Sequence, residues 1–311
     1  MIPSRSRFAA LLLHVPLLMV GATMLVPLAF MFVTALAAPG EAMQASESLT
    51  DMLVPQSWHW DNFAEVWRII PFGRYYLNSL LVALAVTLGQ TVTSACAAYA
   101  FARLQWGGRD TVFMLYLATM MVPAAVTMIP NFVAMKMLPE ILTQLAPWID
   151  WMSSRVLGTT VDDPAVGRLV GLDSYFALIV PMMFSAYGTF LLRQFFLSIP
   201  RELDEAAEID GCGHWAIFAR IILPLSLPGL ATLAIFTFLG VWGSFLWPLV
   251  VTNQSALNTL PIGLLSFQGQ YGTEWSLMMA AALLTLVPIV VIFLVGQRFF
   301  VAGLTVGAVK G

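Results

Sequence analysis

Charge is scarce in this sequence, and the place where it gathers is the first candidate for chemistry. The stretch SIPRELDEAAEIDGCGHWAIFARIILPLS, from Ser198 to Ser226, holds Glu202, Asp204, Glu205, Glu208 and Asp210, five of the 17 acidic residues in 311. A metal site would need a CxxC pair or a His/Cys cluster. His14, His59 and His214 lie far apart in sequence, and the two cysteines, Cys96 and Cys212, read as structural filler. Binding ATP through a phosphate loop would need Gly-Lys-Ser/Thr. The only lysines stand in Met135-Lys136-Met137 and Val309-Lys310-Gly311, so no nucleotide cofactor belongs to this chain. Recognition of a partner is the chemistry that remains.

The acidic stretch reads as a short helix, a turn and a second helix. Pro200 suits a first turn, and Glu202, Asp204 and Glu205 stand where the helix dipole favours negative charge. Leu203, Ala206, Ala207 and Asp210 share one side at helical spacing. Gly211 and Gly213 then permit a sharp turn before a helix from His214. Small side chains at Ala206 and Ala207 would let another surface come close to the backbone. The competing reading is a solvated acidic helix that only links its neighbours.

The elements that must carry this loop are membrane spans. The chain is 59% hydrophobic and 10% charged, with a net charge of -3. So few charges cannot cover a water-soluble globule, and ordinary soluble proteins carry about 25%. High apolar content excludes disorder, and without a basic stripe there is no electrostatic footprint for nucleic acid. About 20 apolar residues cross a bilayer as a helix. Charge-poor runs predict six such spans, at about 8–36, 75–101, 111–133, 174–192, 222–251 and 276–296. Their continuous rather than alternating hydrophobicity selects helices over a barrel. Arginine and lysine placement, nine against five, puts both termini and the 198–223 loop in the cytoplasm.

Two external loops follow from that topology. Residues 38–74 carry Trp58, Trp60, Phe63 and Trp67, an expected interfacial belt. Residues 134–173 hold an amphipathic stretch from Ile141 to Met152, expected to lie in the interface, and then an Asp/Pro-rich turn region. Arg5, Arg7 and Ala35-Leu36-Ala37 imitate a secretory signal, but the apolar run between them is long enough for a full span, so residues 1–37 are expected as an anchor.

Glu205-Ala206-Ala207, three residues to Gly211, nine to Ile221 and then Leu223-Pro224 resemble the EAA motif of ABC importer permeases. The resemblance extends from about Asn78 to Gly311 through NSLLVALAVTLGQTVTSACAAYAFARL, ATMMVPAAVTMIP, LPIGLLSFQGQYGTEW and QRFFVAGLTVGAVKG. These are similar to the carbohydrate-importer branch, in its maltose-type second permease subunit. The resemblance implies an all-α, type I importer permease fold with its core at 75–301 and a cytoplasmic tail at 302–311. It also implies a second permease subunit, a cytoplasmic ATPase dimer that carries ATP and Mg, and an extracytoplasmic substrate-binding protein. Leu203, Glu205, Ala206, Ala207, Asp210 and Gly211 would then dock on the ATPase. Relatives usually read W-N-D or W-N-E where this chain has Trp242-Gly243-Ser244, and their loop between the third and fourth spans is shorter.

For a substrate path, the polar and aromatic residues of the spans are Asn78, Gln90, Thr91, Tyr187, Trp242 and Ser244. Hydrogen bonding between helices is the other explanation of each. A stand-alone channel or secondary transporter would need intramembrane acids or bases for ion coupling, and apart from His14 the six spans contain none. An anionic cargo such as glycerol phosphate would favour an arginine in the path, and Arg74 and Arg193 stand only at span ends.

Overall fold

The computed structural model describes residues 7–38, 57–145, 169–269 and 272–308. Among these the chain is almost wholly helical, apart from a two-residue antiparallel pair, Gln268–Gly269 with Gly272–Thr273. The helices are α1 (Arg7–Ala35), α2 (Asp61–Ile69), α3 (Phe72–Ala102), α4 (Arg109–Ala118), α5 (Ala124–Leu145), α6 (Tyr175–Ile179) and α7 (Ala186–Ser198). They continue as α8 (Glu202–Ile209), α9 (His214–Ile217), α10 (Leu223–Leu225), α11 (Leu227–Trp242), α12 (Leu246–Val251), α13 (Leu260–Leu264) and α14 (Trp275–Ala308).

Four of these helices are long and apolar enough to cross a membrane, and two bent pairs bring the number to six. Counting each bent pair as one span gives the expected six, and three of the spans differ in form from the expectation. The third is not one helix over 111–133: α4 runs into a 3₁₀ turn at Thr119–Met121, breaks before Pro123, and restarts as α5. Proline has no N–H for the preceding turn and disfavours helical geometry in the residue before it, here Val122. α5 then continues to Leu145, through the beginning of the segment expected as an external loop. The fourth span bends by 44° between Met182 and Ala186. There Pro181 precedes a restart capped by Ser185, whose Oγ accepts from Gly188 N at 3.0 Å. The fifth bends by 76° at Ser226, between Pro224 and Pro228, and ends at Trp242 rather than 251. α12 is a separate short helix beyond Gly243.

The chain divides into two compact units, residues 1–73 with 263–287, and residues 74–262 with 288–311. In the first, Ala35, Leu36 and Ala37 are buried where α1 ends. Asn62 donates to the carbonyls of Ala35 and Ala37 at 2.9 and 3.0 Å, so the start of α2 closes the end of α1. The aromatics of this segment pack within the unit as well as facing outward: Trp60 meets Phe32 edge-on, and Trp67 meets Phe72.

In the second unit α3 is the axis. Its inner stripe, Val82, Val86, Ala95, Ala98, Tyr99 and Ala102, recurs at helical spacing, while Leu77, Leu81, Leu84, Leu88 and Val92 face outward. The upper part of the stripe packs on Ala177, Leu178 and Val251. The lower part packs on Leu192, Phe196, Ala207, Ile217, Phe218, Ile222 and Leu233. Small residues let the helices approach closely: a Cβ at Gly89 would fall 2.1 Å from Met183 Cε, and one at Gly229 would fall 2.6 Å from the Phe195 ring.

Candidate functional site

The loop singled out by its charge is built as expected at both ends of its helix. Glu202, Asp204 and Glu205 occupy the first turn of α8, and the amides of Asp204 and Glu205 both bond to Arg201 O. At the other end Gly211 has φ +81°, a left-handed conformation that glycine adopts without the Cβ clash of other residues. Gly211 N donates to Glu208 O at 3.0 Å and Cys212 N to Ala207 O at 2.9 Å. These two bonds are the Schellman pattern of helix termination. The glycine of the motif is thus required by the way the helix stops.

Which side of α8 faces inward differs from the sequence expectation. Ala207 is buried in the lower core, and Asp204, one turn before it, is turned inward with it. Leu203, Ala206 and Asp210 are exposed, so the expected single face of Leu203, Ala206, Ala207 and Asp210 is split. At 100° per residue, 204 and 207 form the inner stripe, and 203, 206 and 210 form the next stripe round, toward solvent. The small side chain at Ala207 serves close approach to the chain's own bundle; only Ala206 offers its backbone to a partner. The outer surface of α8 includes Ile209, 87% exposed, with the exposed Glu202, Glu205, Glu208 and Asp210, and Trp215 is exposed on α9. An apolar knob ringed by carboxylates suits a groove with an apolar floor and a basic rim.

Beneath the loop lies a charged pair that composition did not disclose. Arg103 Nη1 stands 3.1 Å from Asp204 Oδ2, with the two side chains 4% and 16% exposed. Arg103 Nη2 also donates to Phe196 O at 2.6 Å and Ile199 O at 2.8 Å, the end of α7. One helical turn earlier, Tyr99 Oη donates to His214 O at 3.0 Å, and its ring packs on Phe218. In the sequence Arg103 is one of nine basic residues on the inner side, and Asp204 one of three acids in a first helical turn. Nothing in the local pattern links two residues 101 positions apart. Breaking such a buried pair by removing one partner costs about 3–5 kcal/mol.

A second charged group borders the same end of the unit. Arg193 lies 4.2 Å above the Phe113 ring centroid, donates to Phe101 O, and approaches Asp110 Oδ1 at 4.0 Å. Arg109 pairs with the same carboxylate at 3.0 Å. The hydrogen bond and the charge of Arg109 hold the Asp110 carboxyl below its ordinary pKa.

The six substrate-path candidates separate by environment. Asn78 is buried, and its amide donates to Ala256 O and Asn258 O, both at 2.9 Å, while Tyr175 Oη donates to its Oδ1. Gln90 donates to Thr237 Oγ1 at 2.9 Å. Trp242 is buried, stacked on Phe238 and edge-on to Tyr76. Ser244 caps the break after α11 through its amide, which bonds to Val241 O. Thr91 Oγ1 is buried without a hydrogen bond, and Tyr187 is 45% exposed. The two cysteines are free: Cys96 is exposed on α3 rather than packed inside, and Cys212 packs against the lower core. Among the described residues no group of three His, Cys, Asp or Glu could hold a metal. The tail residues 309–311 and most of the 134–173 insertion, residues 146–168, lie outside the described residues.

Comparison with known proteins agrees with this geometry. A solved chain from a bacterial ABC transporter involved in the import of the acidic polysaccharide alginate has the same fold. Its TM-score is 0.70 at 18% identity, with 96% of this chain and 98% of that chain covered. The sn-glycerol-3-phosphate transport system permease protein UgpE of Yersinia pestis is 34% identical over 299 residues, 94% of each chain. The arabinooligosaccharides transport system permease protein AraQ of Halalkalibacterium halodurans is 34% identical over 266 residues, 85% of this chain and 84% of that one. The family model described as binding-protein-dependent transport system inner membrane component matches residues 91–306, from the middle of α3 through the motif loop and into the last helix. A helical chain with four to six membrane-spanning segments, whose dense charged loop ends in a Schellman glycine and which matches this family from residue 91 to 306, belongs to the binding-protein-dependent transport system inner membrane component family.

Proposed function

We propose that this permease forms half of a translocation path with a second permease subunit. It docks α8 into a cytoplasmic ATPase dimer that holds ATP and Mg. It receives a neutral sugar or oligosaccharide from an extracytoplasmic binding protein. The observation that carries the docking role is the division of α8 into two faces. Asp204 and Ala207 are locked to the bundle, while Ile209, Leu203, Ala206 and the acids project away from it. A helix anchored on one side, with an apolar residue among acids on the other, is suited to transmit force from a partner. The chain has no Gly-Lys-Ser/Thr loop, so hydrolysis takes place on another polypeptide.

ATP and the loaded binding protein both act by binding one conformation better than the other. Closure of the ATPase dimer would displace α8 and turn the bundle from inward- to outward-facing. The test is uptake by cells carrying Glu205→Lys or Gly211→Asp, with membrane insertion followed in parallel. Loss of uptake with insertion retained is expected, and normal uptake by these variants would overturn the assignment.

Glycerol phosphate import is the second reading, favoured by the relationship to the Yersinia pestis permease. Against it, Arg193, one of the two arginines at span ends, is engaged with Asp110, a carbonyl and an aromatic ring, and Arg103, just beyond α3, is engaged with Asp204 and two carbonyls. A phosphate would have to displace those partners. Competition of labelled-oligosaccharide uptake by glycerol 3-phosphate in the reconstituted system separates the two: inhibition would favour the anionic cargo.

A further inference from the structure

The loop carrying α8 is covalently joined to the fourth and fifth spans and shares their core, but its buried ion pair and a tyrosine hydrogen bond come from the second. Arg103 reaches three pieces of chain at its N-terminal side, Phe196 O, Ile199 O and Asp204. Tyr99, four residues earlier on the same helix, holds its C-terminal side at His214 O. One turn at the end of α3 thus holds the N-terminal half of α8 and, beyond the Gly211 turn, the start of α9. The two covalent routes away from the loop are both broken, by the 44° bend after α6 and the 76° bend at Ser226. The fifth span also contains a π-helical turn at Phe218–Ile222 before its bend. α3 is a continuous helix from Phe72 to Ala102. A displacement applied to α8 can be absorbed at bends, whereas an unbroken helix transmits it along its length.

We propose that Arg103 is the positioning residue that fixes the coupling helix to span two, making α3 the rigid lever of the transport cycle. This rests on the docking reading of α8 above. Arginine fits the role because its planar fork serves an acid and two carbonyls at once, which a lysine ammonium cannot do with the same geometry. Arg103 Nε and Asp204 Oδ1 remain buried without hydrogen bonds.

The test uses the full complex with its partner permease, ATPase and binding protein. Arg103→Gln complexes are expected to retain the ATPase subunits but to move about tenfold less substrate per ATP hydrolysed, the scale on which single positions in a coupling network act. Arg103→Lys, which keeps the charge for Asp204, should recover part of that loss. An unchanged ratio in assembled Arg103→Gln complexes overturns the proposal. Glu205→Lys is measured alongside: if it also transports normally, the docking reading fails, and if it alone uncouples, only the lever fails.

A second measurement does not depend on the folding of these variants. Spin labels at Glu208→Cys and Val92→Cys, in a chain otherwise free of cysteine and with Arg103 intact, report the α8–α3 distance. Labels at Glu208→Cys and Gly240→Cys report the distance from α8 to α11. The first distance should stay fixed between nucleotide-free and ATP-bound states while the second changes. A change in the first would sink the lever.

Discussion

Tyr175 donates its hydroxyl to Asn78 Oδ1 at 2.7 Å, and this bond completes the hydrogen bonding of an amide whose two protons already go to Ala256 and Asn258 carbonyls. Asn78 therefore ties the start of span two to the loop that follows α12, with no polar atom left over for cargo. An asparagine inside a span reads from sequence as a substrate ligand, and here its bonds are all to its own chain.

Asn78→Leu should consequently damage stability rather than selectivity. It leaves two half-buried carbonyls and the exposed Tyr175 hydroxyl without this partner, and each lost hydrogen bond is worth about 0.5–1.5 kcal/mol. Thermal unfolding of the detergent-solubilised complex should shift downward. Apparent affinity for the loaded binding protein, measured on the surviving fraction, should stay as in wild type.

Gly211 offers a test of conformation without steric confusion, because a Cβ there would meet nothing within 4 Å. Left-handed backbone costs a non-glycine residue roughly 1–2 kcal/mol, and least for asparagine. Gly211→Asn should thus keep more ATPase co-purification and transport than Gly211→Val. Gly213, at φ -76°, carries no such requirement. Equal loss in Gly211→Asn and Gly211→Val would show that bulk at the partner surface, not the helix stop, sets the need for glycine.

Gly229 is the opposite case. It lies in the right-handed helix α11, but its missing side chain makes room for the Phe195 ring, 2.6–2.7 Å from where a Cβ would sit. Overpacking of this kind costs about 1–3 kcal/mol. Gly229→Ala should lower the melting temperature, and a second change, Phe195→Leu, should recover part of the loss. Additive destabilisation in the double variant would contradict the packing account.

Asp110 gives a prediction about pH. Arg109 lowers its pKa, so the carboxylate pairing contributes above the unfolded-state value and is lost only as pH falls through the still lower folded value. Between about pH 5 and 8 the group is ionised in both states and contributes no slope. Stability measured across that window should be the same in wild type and Asp110→Asn apart from a constant offset. A slope that disappears in Asp110→Asn would require another account of the site.

Much of this molecule was written in one dimension. Six charge-poor runs, the inside-positive balance and the spacing Glu205-Ala206-Ala207 to Gly211 are local patterns, and lipid solvation and helix termination act locally. The bends were partly legible too, in Pro123, Pro181, Pro224 and Pro228, although length alone suggested straight spans. What only the tertiary structure decided is which side of each short helix meets the bundle. A two-turn helix such as α8 has too few residues for its periodicity to separate neighbouring stripes, so the burial of Ala207 and the exposure of Ala206 depended on where α3 packs. The pairing of Arg103 with Asp204 depended on it as well. A charge at the end of a span and an acid in a loop are each unremarkable in sequence, and folding alone brings them together out of water.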